Sequence, residues 1–151
     1  MRIWIDADGC PVVTETIKVA KSFAIPVTVV KNYAVKIEND YAQIITVDVA
    51  SDAADYYIAN HMEIGDLAIT QDNGLAAMVL AKRGFCMDQN GKKITSLNID
   101  FILDSRHHGR VARAQNIRGP KHKKRSKRDD LNFIDSLNQF LMKPEGSHHV
   151  Y

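Results

Sequence analysis

Cysteine is nearly absent: only Cys10 and Cys86 occur in 151 residues. Two thiols are too few for a disulfide framework or a thiolate zinc site, and the count suits a reducing cytosol. No apolar run approaches the ~20 residues a membrane span needs. Met1-Arg2 leads at once into acids and a turn, so no signal peptide is expected. Residues 1–104 contain no internal repeat and no linker. What remains is ordinary globular material, 45% hydrophobic and 25% charged. A chain of this length is expected to form one domain, over residues 1–142 with a loose tail at 143–151, burying roughly 68–70% of its unfolded surface.

A second absence is local. Residues 105–128 carry 10 Lys/Arg and no acid, whereas residues 1–104 carry 9 Lys/Arg against 14 Asp/Glu. The net charge of +2 therefore conceals an acidic body with one concentrated basic stretch, which suggests a polyanionic partner.

Apolar, β-branched runs alternate with helical patterns. Strands are expected at about residues 2–6, 25–30, 43–48, 67–70 and 85–87. Tyr33 to Ile37 reads as a short strand or an extended connection. Helices are expected near 12–23, 52–62, 75–83 and 130–142, with another running from Thr95 or Ser96 past Leu103. Pro11 suits the first helical position, and Val13, Ile17, Ala20 and Ala24 should face the sheet. Ser51 and Asp52 look like helix-opening residues, and Asn90-Gly91 carries a hairpin signal. In the last helix Leu131, Ile134, Leu137 and Leu141 share one face, with Asp129 or Asp130 as cap. The alternation predicts an α/β three-layer sandwich with a mainly parallel central sheet. Residues 116–128 read as a basic loop.

In such a sheet ligands bind beyond the carboxyl ends of the strands. The first strand ends in Asp6-Ala7-Asp8-Gly9, and acids two apart on an extended chain share a face. Asp72 follows the fourth strand, and Asp52 and Asp55 open the helix after the third. Asp48 is a reserve candidate at the same edge. Asp66 precedes its strand, roughly 20 Å from Asp72 at ~3.3 Å per residue, and reads as a turn residue at the opposite edge. Carboxylates gathered around one point need neutralising, and oxygen ligands suit Mg²⁺ or Mn²⁺. Asp6, Asp8, Asp72, Asp55 and Asp52 are therefore the candidate ligands, with Asp6, Asp8 and Asp72 the catalytic set. Thr70 would orient a carboxylate or water. Helix capping alone is the competing role for Asp52, and turn chemistry for either member of the Asp6/Asp8 pair.

Three stretches carry a family resemblance: Asp6-Ala7-Asp8-Gly9-Cys10-Pro11-Val12, Asp52-Ala53-Ala54-Asp55-Tyr56-Tyr57-Ile58-Ala59, and residues 65–76 from Gly65-Asp66 through Thr70-Gln71-Asp72-Asn73-Gly74. With Asn98-Ile99-Asp100, Arg106, Gly119-Pro120 and Phe133, they resemble the YaiI/YqxD family of uncharacterised bacterial proteins over nearly the full chain. That family is placed among PIN-like domains. The resemblance implies a PIN-like fold and a metal-dependent nuclease site, in which Asp6, Asp55 and Thr70-Gln71-Asp72 match three of the motif positions. The chain departs from the pattern at a helical Glu. Glu15 is nearest in order, while Asp8 or Asp52 are spatial substitutes.

Arg106, Arg110, Arg113 and Arg118 precede Lys121, Lys123, Lys124 and Arg125. The first three share one face if a helix continues through Gly109, and backbone phosphates are their natural partner. A solvated charge run is the plainer alternative. His107-His108 and His148-His149 are adjacent pairs whose side chains diverge, and His61 reads as a surface or boundary residue. Cys10 is read as a small buried residue. The combined expectation is a cytoplasmic, non-membrane protein hydrolysing phosphodiester bonds, with RNA ahead of DNA as partner and a homodimer left open. Two other readings stand beside it. Asp6-Ala7-Asp8-Gly9 also matches the opening of haloacid-dehalogenase-like phosphatases, with Asp6 as nucleophile. A non-catalytic RNA-binding or partner-binding module is the third.

Overall fold

Alternation along the strands sorts their side chains onto two faces. Ile3, Ile5, Val27, Val29, Leu67, Ile69, Phe85 and Met87 enter one core; Trp4, Val30, Ala68 and Cys86 enter the other. The computed structural model describes residues 1–50, 52–100 and 124–143. Its strands are β1 (Ile3–Asp6), β2 (Val27–Asn32), β3 (Gln43–Val47), β4 (Leu67–Ile69), β5 (Phe85–Met87) and β6 (Lys93–Ile94). They form one sheet in the order β3-β2-β1-β4-β5-β6, parallel except for β6. The helices among the described residues include α1 (Val13–Ser22), α2 (Ala53–His61), α3 (Asn73–Ala81) and α4 (Lys127–Met142). Buried residues of α1 and α4 pack on the first face, and those of α2 and α3 on the second. This is the expected three-layer α/β sandwich. No helix of the described residues is long and apolar enough to cross a membrane.

Helix ends differ from the sequence expectations for identifiable reasons. Pro11 lies in a turn, and α1 starts at Val13. Ala24 does not face the sheet: it is exposed at φ 56° beyond the end of α1. There the Ile25 N–H donates to the Ala20 carbonyl at 2.9 Å and the Ala24 N–H to the Lys21 carbonyl at 3.1 Å. This is the left-handed helix stop usually made by glycine. Helix α4 begins earlier than expected because Ser126, not Asp129 or Asp130, is its cap. The Ser126 side chain accepts from the Asp129 N–H while the Asp129 carboxylate accepts from the Ser126 N–H at 2.9 Å. Its buried face is Phe133, Leu137 and Phe140, whereas Leu131 is exposed. Tyr33 to Ile37 is a connection, not a strand, and the Asn90-Gly91 hairpin between β5 and β6 is present. Ile99 and Asp100 are helical, and the rest of that expected helix lies outside the described residues.

Asp66 sits at the expected opposite edge but is more than a turn residue. Its buried carboxylate accepts from the Arg2 N–H at 2.9 Å, the Trp4 indole Nε1 at 3.0 Å and the Glu63 N–H at 2.9 Å. It ties the start of β1 to the turn before β4. Removing a buried acceptor leaves its donors dry, at about 1–3 kcal/mol for an unsatisfied group and more where a charge was involved. Asp66→Ala is expected to lower unfolding stability by about 3 kcal/mol in urea titration. Stability within ~0.5 kcal/mol of the parent would mean the three bonds contribute little.

Candidate active site

Strand order reverses at β1, whose neighbours β2 and β4 lead away in opposite directions along the sheet. The crevice beyond the carboxyl ends at such a point is where open α/β sheets bind ligands. Here it is a cleft of about 400 Å³ lined by Asp6, Asp8, Asn32, Asp48, Asp55, Gln71, Asp72 and Asn73, with Val47, Val49, Ala50 and Ala54. Asp6 continues the parity of Trp4 and so emerges on the α2/α3 face. Thr70 continues the parity of Ala68 and emerges beside it.

Thr70 connects two acids. Its buried hydroxyl donates to Asp6 Oδ2 at 2.9 Å and its oxygen accepts from the Asp72 N–H at 3.0 Å. Asp72 is the N-cap of α3, with Oδ1 accepting from the Gly74 N–H at 2.8 Å and the Leu75 N–H at 3.2 Å. That cap starts the helix at Asn73, two residues before the position that apolar spacing suggests. Asp55 takes a place on the buried stripe of α2, at helical spacing with Ile58, Ala59 and Met62. A carboxylate there is 8% exposed, and it lines the cleft together with the carboxyl of Asp72.

The acids disturb one another. Burial pushes the Asp55 carboxyl up to about 7, helped by the charges of Asp72 and Asp6, by the hydrogen bond with Asp72, and by the charge of Asp52. Asp6 is also raised, chiefly by burial; the Thr70 hydroxyl opposes the shift, and the charges of Asp72 and Asp8 add to it. Like charges brought this close hold a proton that separated carboxylates would release. Among the described residues no group of three or more Asp, Glu, His or Cys is arranged to hold a metal ion by itself.

The remaining candidates divide. Asp8 is exposed but lines the cleft, as does the reserve candidate Asp48. Asp52 lies outside the main cleft, in an adjoining pocket, and its side chain makes no cap hydrogen bond to α2. Glu15 belongs to α1 in the other helical layer and does not line the cleft. Cys10 is half-buried, and burial pushes its thiol up, outweighing the backbone hydrogen bond at Val12 and the Arg125 charge. Asn32 was missed by the sequence reading, although ending β2 at the same sheet edge marked it by the rule that marked Asp6. Its Oδ1 accepts from the Ala34 N–H at 2.8 Å.

In the basic set, Lys124 is exposed. Arg125 serves the fold: it pairs with Asp130 at 2.7 Å and donates to Asn90 Oδ1 at 3.1 Å and the Gln89 carbonyl at 2.8 Å. Arg106, Arg110, Arg113, Arg118, Lys121 and Lys123 lie outside the described residues.

The raised Asp55 sets a pH dependence. The folded chain binds a proton near pH 7 that the unfolded chain binds only near 3.8, so this group's contribution falls as pH rises between those values. Asp55→Asn removes the penalty. In thermal unfolding across pH 4–9, the variant is expected to gain several degrees on the parent as pH rises from 3.8 to about 7, and to gain no more above it. A pH-independent difference would contradict the crowded-acid description.

Residues 4–143 match the family described as "Uncharacterized BCR, YaiI/YqxD family". Among similar chains, a UPF0178 protein of Alkaliphilus oremlandii is 47% identical over 93% of this chain and 91% of its own. One from Exiguobacterium sibiricum is 43% identical over 93% and 96%, and one from Natranaerobius thermophilus 39% over 97% and 100%. No solved structure matches. With a full-length match and relatives well above 30% identity, the chain belongs to the YaiI/YqxD family of uncharacterised bacterial proteins.

Proposed function

We propose that this chain is a PIN-like, divalent-metal-dependent nuclease that hydrolyses phosphodiester bonds, with RNA as its substrate class. The observation that carries the reading is the meeting of Asp6, Asp55 and Asp72 at the switch-point edge, where all three line one cleft. A cation placed there relieves the repulsion that a proton otherwise relieves. The donor set suits Mg²⁺ or Mn²⁺. Mg²⁺ keeps several of its waters and takes one or two carboxylates plus substrate phosphate oxygens, so a closed protein cage is not required.

One or two of Asp6, Asp55 and Asp72 would hold the ion, its other positions going to water and phosphate oxygens, with Asp8 and Asp48 within the same cleft. When bound, the ion lowers the pKa of a water and offsets charge building on the phosphate. Thr70 holds the Asp6 carboxylate in place through its hydroxyl. The Gly74 and Leu75 N–H groups fix Asp72 Oδ1 and so hold this carboxylate at the cleft. A phosphatase of the haloacid-dehalogenase type is less well supported. Asp66, the acid its later motif would need beside Asp72, is at the far edge with its oxygens engaged by Arg2, Trp4 and Glu63.

The test is cleavage of end-labelled RNA with Mn²⁺ or Mg²⁺ against EDTA. Metal-dependent cleavage is expected, lost about a hundredfold or more in folded Asp6→Asn and Asp72→Asn proteins, the scale seen when a charge-stabilising group is removed. Asn at position 72 keeps an acceptor for the α3 cap, so the loss is not a folding effect. Undiminished cleavage in both variants would overturn the site. Phosphate release from simple monoesters with a trapped phospho-enzyme at Asp6 would favour the phosphatase instead.

A further inference from the structure

Two adjacent tyrosines on α2 have different surroundings. Tyr57 is used by the fold: its ring lies 6.4 Å from Trp4 and stacks on His61 at 4.0 Å. Tyr56 is 58% exposed and has no ring contact or side-chain hydrogen bond among the described residues. It borders a pocket of about 310 Å³ whose other walls are Asp52, Asp55, Asp72, Gly74 and Met78. Asp55 and Asp72 also line the main cleft, so the two spaces adjoin at these carboxylates.

Three acids around the pocket disfavour a phosphate there and suit a neutral occupant. An exposed tyrosine ring on one side and a half-buried methionine on the other offer flat and adaptable apolar surface. We propose that this pocket is a nucleobase subsite, in which Tyr56 stacks on an unpaired base of a single-stranded nucleic acid whose phosphate lies at the carboxylate cleft. The placement of the phosphate rests on the nuclease reading; the base subsite itself does not require turnover. Asp52, free of a capping bond, offers an acceptor to N–H groups on the base edge. A base locked in a duplex cannot present its face to Tyr56, so the subsite selects single strands.

The test is equilibrium binding by fluorescence anisotropy of the full-length protein to three labelled probes, with Ca²⁺ in place of Mg²⁺ or Mn²⁺ to neutralise the carboxylate cleft. These are a single-stranded oligodeoxynucleotide, its duplex, and an abasic oligomer with the same number of phosphates. The parent is expected to bind the single strand about tenfold more tightly than the other two, the scale of one base–aromatic stack. Tyr56→Ala is expected to remove that difference without changing abasic binding, and Tyr56→Phe to preserve it. Equal binding of single-stranded and abasic probes by the parent, no binding of any probe, or an equal loss on both in Tyr56→Ala would overturn the proposal. Base-dependent binding without RNA cleavage would uphold the subsite and remove the nuclease; metal-dependent cleavage with base-independent binding would do the reverse.

Discussion

Carboxylates repel, and this fold spends specific contacts on keeping three of them together. Asp6 is placed by the end of a strand buried on both faces and is steadied by the Thr70 hydroxyl. Asp72 is pinned by two helix N–H groups, and Asp55 occupies a helix position that packing would otherwise give to an apolar side chain. Remove the sheet order and the three separate. Burial and mutual repulsion then oblige Asp55 to keep a proton to about pH 7. A site that holds a proton between acids is one in which a divalent cation has a competitive place.

The two ends of the sheet use acid in opposite ways. At the carboxyl end, the acids have few donors relative to their charge. At the amino end, Asp66 has three, from the backbone of Arg2 and Glu63 and from the Trp4 indole. Both edges draw on β1: Trp4 and Asp6 share a parity, so one strand serves the structural acid at its start and supplies a cleft-lining acid at its end. This division gives residues of the same type, a few positions apart, separate duties.

Much of this was legible in the sequence because strand periodicity and strand ends are local properties. The runs around Ile3–Asp6, Val27–Val30 and Leu67–Thr70 located the sheet, and the edge rule separated Asp66 from Asp72. Other features depend on contacts that spacing does not encode. Asp66 reads as a turn residue until the Trp4 indole is seen to reach it. Asp55 and Asp52 both open a helix in the sequence, yet of the two only Asp55 is buried, because α2 lies on the sheet along the stripe that includes Ile58 and Met62. Ser126 as the α4 cap was obscured by two acids immediately after it, one of which completes the capping box. Arg125 looked like one more cation in a basic run, whereas its guanidinium joins α4 to the β5–β6 hairpin.

The central claim is that a cation replaces the proton that Asp55 holds beside Asp72 and Asp6. Calorimetric titration of Mn²⁺ into the protein near pH 6, repeated in buffers of different ionisation enthalpy, counts the protons released on binding. The account expects release approaching one proton at that pH, declining as pH rises past about 7. Binding with no proton release, or no binding at millimolar Mn²⁺, would contradict it.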